Sequence, residues 1–468
     1  MRSALRYVLP LAVVAAIGNV ACGTDASSSP SAEDGTLGDV QEFGTGPKLA
    51  YDEYEVLFTN PVCRKYAYPA NQTVLSNAGA RLLAKPENVY CGPDDGAASA
   101  DRPTSPQKKL LDWIKDPETT EIFFAYLSFS NRVVGAEICK AVQERNVKVT
   151  FVLDRETDLG AANTLLACEP GNGDPSFKPR MELRGHDASL GYAHNKVFMF
   201  NPRGTNPRIV FSSGNLSSGV VLHHENWHFL RVPARTHFAK AHVCLMDGML
   251  DHYRTKAEYS GYIKTCRDGA GIGEESDLKT FFVPGDGGRA GQHITTGVRT
   301  ATKLGIAAHR FSYSVLRREL DARLSGASPP DVKFVGDDDI WWAGHGATPG
   351  SVPNTADEHG HVEALKAKGM QARYMETNNN AHYLHHNKFM VFTTPQGEAA
   401  FAGAGNFTGT AFTDNFENFY WITVPHIVKA MKDQHDLLFS LATPEENLPA
   451  TNVQVSTSAT PPPPPDDD

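Results

Sequence analysis

Three polar stations recur in order at two places in the chain. The first set is His194-Asn195-Lys196, then Ser212-Ser213-Gly214-Asn215, then Glu225-Asn226-Trp227. The second is His386-Asn387-Lys388, then Gly403-Ala404-Gly405-Asn406, then Glu417-Asn418-Phe419. The histidines are 192 residues apart, the asparagines 191 and the glutamates 192. Packing alone does not hold polar positions at one offset while their surroundings diverge. A lone His-x-Lys is ordinarily solvated surface; its duplication is the signal. The residue types suit chemistry at phosphorus. Imidazoles attack and carry protons near neutral pH. Ammonium and amide groups hold developing negative charge. A carboxylate orients the imidazole.

The elements that position these groups can be read from periodicity. Each His-Asn-Lys opens an apolar run, Val197 to Phe200 and Phe389 to Phe392, and alternation sets His and Lys on one face of the strand. A following strand ends near the Asn, and the Glu begins a third. Upstream, Glu121 to Tyr126 reads as strand, Val133 to Arg145 as helix and Val149 to Asp154 as strand. The same order returns as Leu304 to His309, Val315 to Leu324 and Val332 to Asp337. Strand, turn, helix, strand predicts a largely parallel sheet, and its recurrence predicts two copies of one fold. The boundary is expected in the Gly-rich stretch from Gly269 to Gly291.

The duplicated His-x-Lys, Gly/Ser-rich Asn and downstream Glu resemble the phospholipase D superfamily over most of residues 50 to 445. The resemblance implies an α/β fold: two similar phospholipase D-like α/β domains, 47–275 and 285–446, packed as a pseudo-dimer with the active site at their interface. It implies a monomer with internal pseudo-two-fold symmetry. It makes His194, Lys196, Asn215, Glu225, His386, Lys388, Asn406 and Glu417 catalytic, with Ser213 a substrate-binding donor. One histidine attacks phosphorus and becomes a phosphohistidine; the other protonates the leaving alcohol and then activates water. His194 is read as the nucleophile and His386 as the acid/base. Each Glu accepts a hydrogen bond from the far nitrogen of an imidazole. No cofactor and no metal is implied, because two lysines neutralise the phosphate. Two departures stand out. Asn201 and Thr393 occupy places where the family usually has a structural Asp, and Ala404 replaces the counterpart of Ser213.

Other features have alternative readings. His224-Glu225-Asn226-Trp227-His228 fits a zinc-peptidase pattern, but that chemistry needs a helix, and the segment continues as strand. Asp337-Asp338-Asp339 reads as a solvated loop, with calcium binding as the sharper reading. Trp341 and Trp342 lie in an insert reaching about Gly369, where they either pack, seat the chain at a lipid surface or stack on bases.

The chain has 468 residues and a formal net charge of −10, which disfavours coating of a polyanion without excluding a small basic cleft. Residues 1–22 read as an export signal of lipoprotein type ending at Cys22, and 23–46 as a flexible linker. Residues 447–468, with a Pro run and three Asp, read as a disordered tail. The expected location is therefore outer-membrane or cell-surface, or secreted. The remaining six cysteines, Cys63, Cys91, Cys139, Cys168, Cys244 and Cys266, read as three disulfides, with Cys244–Cys266 the favoured pair. The expected activity is hydrolysis of a phosphatidylcholine-type phospholipid at a membrane surface. The alternatives are a secreted metal-independent nuclease acting on nucleic acid, and a non-catalytic phosphate- or lipid-binding scaffold.

Overall fold

A computed structural model describes residues 44–448 apart from 66–73, 76–80, 86–87, 188, 252, 346, 349–355 and 379–381. The expected signal segment with Cys22, nearly all of the linker and most of the tail lie outside the described residues. Two large mixed sheets dominate. The strands of the first are β1 (Glu53–Thr59), β2 (Glu121–Tyr126), β3 (Lys148–Asp154), β4 (Arg180–Arg184), β5 (Lys196–Phe200), β6 (Arg208–Ser212) and β7 (Glu225–Arg231). Those of the second are β8 (Leu278–Val283), β9 (Lys303–Ala308), β10 (Asp331–Asp337), β11 (Gln371–Met375), β12 (Lys388–Thr394), β13 (Gly397–Gly403), β14 (Glu417–Ile422) and the short β15 (Thr443–Pro444).

The first sheet runs β1-β7-β6-β5-β2-β3-β4, and the second runs β8-β14-β13-β12-β9-β10-β11-β15. Strand for strand the two orders correspond, with β15 added at one edge. In each sheet the two pairs after the middle are parallel, β2–β3 and β3–β4 against β9–β10 and β10–β11. The others are antiparallel, so each sheet is mixed, with the parallel part confined to its βα units. The second unit begins at β8, ahead of the expected start at 285, because Leu278–Val283 pairs with β14 as β1 pairs with β7.

Each sheet buries both faces. One apolar cluster lies behind the first sheet and includes Phe124, Phe151, Phe198 and Trp227. A second lies behind the other sheet and includes Ile306, Phe334, Phe401 and Trp421. The third is shared, drawing Phe211 and Leu230 from one half and Phe389 and Tyr420 from the other, with helices His237–Leu250 and Pro425–Leu441. There Phe211 stacks on Tyr420 at 3.6 Å between ring centroids. Burying Phe, Tyr and Trp supplies the largest single contributions to such an interface. The two halves therefore form one packed body.

Three disulfides are present, Cys63–Cys91, Cys139–Cys168 and Cys244–Cys266, all within the first half. The favoured pair is among them.

One sequence expectation is corrected, and one left open is decided. Asp337, Asp338 and Asp339 are not a solvated loop: all three are fully buried. Asp337 ends β10 and caps helix Asp338–Gly344, while Lys85 Nζ lies 2.6 Å from both Asp338 Oδ1 and Asp339 Oδ1. A run of three acids reads as exposed until a cation from 250 residues earlier is placed against it. Trp341 and Trp342 are likewise buried in the second core and present no ring to a lipid surface or a base.

Candidate active site

The carboxyl ends of the middle strands of both sheets meet at one point. His194 and Lys196 stand at the start of β5, and His386 and Lys388 at the start of β12. Each Lys pairs with the last residue of the neighbouring strand, Lys196 with Tyr126 and Lys388 with Ala308. Glu225 opens β7 and Glu417 opens β14. Gly214 has a local reason: a Cβ there would lie 1.7 Å from Glu225 Oε2, so only glycine lets the Asn-bearing turn close over the carboxylate.

The halves are stitched across the site by backbone. His194 N donates to Phe416 O at 2.9 Å, and His386 N donates to His224 O at 3.0 Å. Side chains cross in the same way. His194 Nδ1 donates to Glu417 Oε2 at 2.8 Å, and His386 Nδ1 donates to Glu225 Oε1 at 3.0 Å. Each histidine is thus oriented by the glutamate of the other half. The backbone N–H of Lys196 also donates to Asn418 Oδ1 at 2.9 Å, and Asn226 Nδ2 donates to Asn387 Oδ1 at 3.0 Å.

The protonation states follow from burial and partners. Burial lowers His194 to about 4, against the pull of Glu417, and Lys196 lowers it further. Burial and Lys388 hold His386 well below the usual imidazole range. Burial opposes ionisation of Glu225, yet hydrogen bonds from His223 and His386 bring it down to about 2. Lys388 is pushed well below the usual lysine range by burial and then by Lys196. With each carboxylate accepting at Nδ1, the lone pair of each neutral imidazole sits on Nε2. Lys196 Nζ lies 3.0 Å from His194 Nε2, and Lys388 Nζ donates to His386 O at 2.7 Å.

Asn215 and Asn406 follow the ends of β6 and β13, and their buried Oδ1 atoms have no hydrogen-bond partner among the described residues. Ser213 is placed otherwise than expected. Its buried Oγ accepts the Asn226 N–H at 3.1 Å and fixes the start of β7. Asn201 lies at the far end of β5, where its Oδ1 accepts from Thr120 N and Glu121 N at 2.9 and 3.0 Å. It ties down the start of β2, a structural task that an amide oxygen performs as a carboxylate would. Glu225–Arg231 is strand, so His224 and His228 are not arranged as a helical zinc pair. His228 is buried and stacks on Phe211 at 4.3 Å.

Sequence reasoning missed several members. Asp154 Oδ2 accepts the N–H of Ala193 at 2.7 Å, and Asp337 Oδ2 accepts that of His385 at 3.0 Å. The residue before each histidine is thus pinned by the Asp that ends the second strand of each βα unit. That matched strand-end Asp was the available signal. His223 and His309 were also missed. His223 Nδ1 lies 3.2 Å from Glu225 Oε1, and the His309 ring stands edge-on to His386 at 4.8 Å.

Two imidazoles, each tautomer-fixed by the opposite half, beside two buried lysines, suit covalent transfer at a phosphorus atom. The two α/β units and the site between them are those expected from the duplicated motif. No protein-family model matches the chain, and no curated protein matches it. Solved structures similar to it include phosphatidylserine synthase of Haemophilus influenzae Rd KW20, with 14% identity over 73% of this chain and 88% of that one, at a TM-score of 0.49. The yeast tyrosyl-DNA phosphodiesterase is 11% identical over 67% of this chain and 86% of that one, at 0.42. Polyphosphate kinase of Porphyromonas gingivalis is 11% identical over 70% of this chain at 0.44, and this chain spans 47% of that protein. The site is closely covered, with His194 7% and His386 8% exposed and both glutamates fully buried.

Proposed function

We propose that the protein is a phosphodiesterase working through a phosphohistidine, and that its substrate is a phospholipid of the phosphatidylcholine type. The carrying observation is the crossed pair, His194 on Glu417 and His386 on Glu225. It gives each imidazole a fixed Nδ1–H and leaves each Nε2 for reaction.

His194 Nε2 attacks phosphorus, and the bond from phosphorus to the leaving alcohol breaks. The alcohol oxygen takes a proton from Nε2 of protonated His386. Water then gives a proton to His386 and attacks phosphorus, and the P–N bond breaks to release the phosphate monoester and restore His194. Lys196, Lys388, Asn215 and Asn406 surround the non-bridging oxygens and stabilise charge as it builds. Burial leaves a lone pair on Nε2 of both histidines, and the choice of His194 as the nucleophile is carried from the sequence reading.

The acidic balance of the chain supports a phospholipid over a polyanionic substrate. Three disulfides fit an exported protein. The test gives purified protein phosphatidylcholine vesicles and plasmid DNA in parallel, each with EDTA and each beside a His194→Ala control. Choline release absent from the control supports the lipid reading. Cleavage of DNA alone replaces it with a nuclease. Neither activity from folded protein removes the catalytic reading.

A further inference from the structure

The pseudo-symmetry allows a position-by-position comparison of the two glutamates, and they are not equivalent. Glu417 divides its oxygens: Oε2 takes His194 Nδ1 at 2.8 Å, and Oε1 takes Asn415 Nδ2 at 3.1 Å. Glu225 gathers two imidazoles on one oxygen. Its Oε1 lies 3.0 Å from His386 Nδ1 and 3.2 Å from His223 Nδ1, while Oε2 accepts from Trp227 Nε1 at 3.1 Å. His223 and Asn415 are counterparts, each two residues before its Glu. The chain also makes room for the larger ring: a Cβ on Gly219 would lie 2.4 Å from His223 Nδ1.

The three donor atoms of His223, Glu225 and His386 all lie within 4.8 Å of one another, and all three residues are buried. A tetrahedral zinc ion with bonds of about 2.0–2.2 Å keeps its ligand atoms roughly 3.3–3.6 Å apart, and His₂Glu is one of its usual catalytic donor sets. Two of the three separations are already at 3.0 and 3.2 Å. Those two would widen by a few tenths of an ångström, and the His223–His386 separation, within 4.8 Å, would close the set, with water as fourth ligand. Lys388, whose Nζ donates to His386 O at 2.7 Å, opposes the ion's charge, and the His309 ring stands edge-on to His386 at 4.8 Å.

We infer that His223, Glu225 and His386 form a binding site for zinc on the side of His386 away from phosphorus. Binding moves the proton of each imidazole from Nδ1 to Nε2. His386 then carries a fixed Nε2–H and has no lone pair with which to take a proton from water. Zinc therefore inhibits, a consequence that rests on the phosphodiesterase reading, whereas the binding itself does not. The Asn415, Glu417 and His194 set has an amide where the other has an imidazole, so the arrangement does not recur at the matching position and holds one ion. Glu225 is common to this set and to the His224-Glu225 and His228 pattern, whose two histidines take no part in it.

The experiment is calorimetric titration of the full chain with zinc chloride, without substrate. One ion per chain is expected, with magnesium and calcium not binding. His223→Asn, which installs the residue the chain already tolerates at the matching position, should weaken zinc at least roughly 10-fold, since loss of an outer-shell partner alone costs about 10–100-fold. Asn415→His should raise the stoichiometry to two. His359→Ala, in a second donor trio with Glu363 and Glu445, should leave binding unchanged. No binding by the wild type, or loss in His359→Ala with retention in His223→Asn, overturns the site. Absence of turnover in zinc-free wild type would sink the phosphodiesterase reading and leave the titration result standing.

Discussion

Glu417, the first residue of a strand in the second half, accepts a 2.8 Å hydrogen bond from Nδ1 of His194 in the first. The reciprocal bond joins Glu225 to His386 at 3.0 Å. Neither half orients the histidine of its own His-Asn-Lys, so the site exists only when the halves are packed. Glu417→Gln keeps shape but leaves His194 without an anionic acceptor at Nδ1. A comparable carboxylate-to-amide change beside a catalytic histidine costs about 10⁴ in kcat, so a fall of roughly 10²–10⁴ is expected here. It is read as kcat on bis(p-nitrophenyl) phosphate, with an unchanged melting temperature as the folding control. Loss of less than threefold would mean that the cross-half bond is not what orients His194.

The assignment of roles predicts where the phosphoryl group resides. Acid-quenched protein from a single turnover should carry the adduct on His194. His386→Asn, lacking the group that activates water, should accumulate that adduct with a good leaving group, and His194→Asn should show none. Peptide mass spectrometry decides. An adduct on His386 would exchange the two roles.

Acid should unfold the protein through its interior histidines. Burial alone holds His228 at about 3, and burial first also brings His224 and His242 to about 3. Each folded-state value lies below the unfolded value, so the unfolded chain binds the extra protons. The associated stability is complete above about pH 6.5 and is lost as pH falls toward 3. At pH 5 each fully buried group costs about 2 kcal/mol relative to pH 7.5, as an upper figure. Urea midpoints at the two pH values measure it, and an unchanged midpoint would refute it.

Lys85 is the cation that makes the buried acids tolerable. Its Nζ bridges Asp338 and Asp339 at 2.6 Å, and burial pushes the Asp338 carboxyl up to about 7 even with that lysine in place. Lys85→Met removes the charge and leaves two buried carboxyls facing each other. A loss of about 3–5 kcal/mol is expected, as for other broken buried pairs. Chemical denaturation reads it directly. Wild-type stability in this variant would mean that the acids are compensated by Arg310 alone, whose guanidinium is 3.8 Å from Asp339.

Duplication, the apolar alternation after each His-Asn-Lys and the cysteine parity were all visible in the order of residues. They determined two α/β units, the eight polar candidates and three disulfides, because each depends on a local period or a count. Pairing across the halves was not visible. Which glutamate serves which histidine depends on how two surfaces meet, and nothing within either repeat encodes it. The same holds for Lys85 against Asp338 and for His223 on Glu225, where the partners are 253 and 2 residues apart yet depend equally on the packed core. Ser213 and the run Asp337 to Asp339 were read as ligand-facing and as solvated for one physical reason. A polar side chain is assigned to a ligand or to solvent until its burial is known, and burial belongs to the tertiary structure alone.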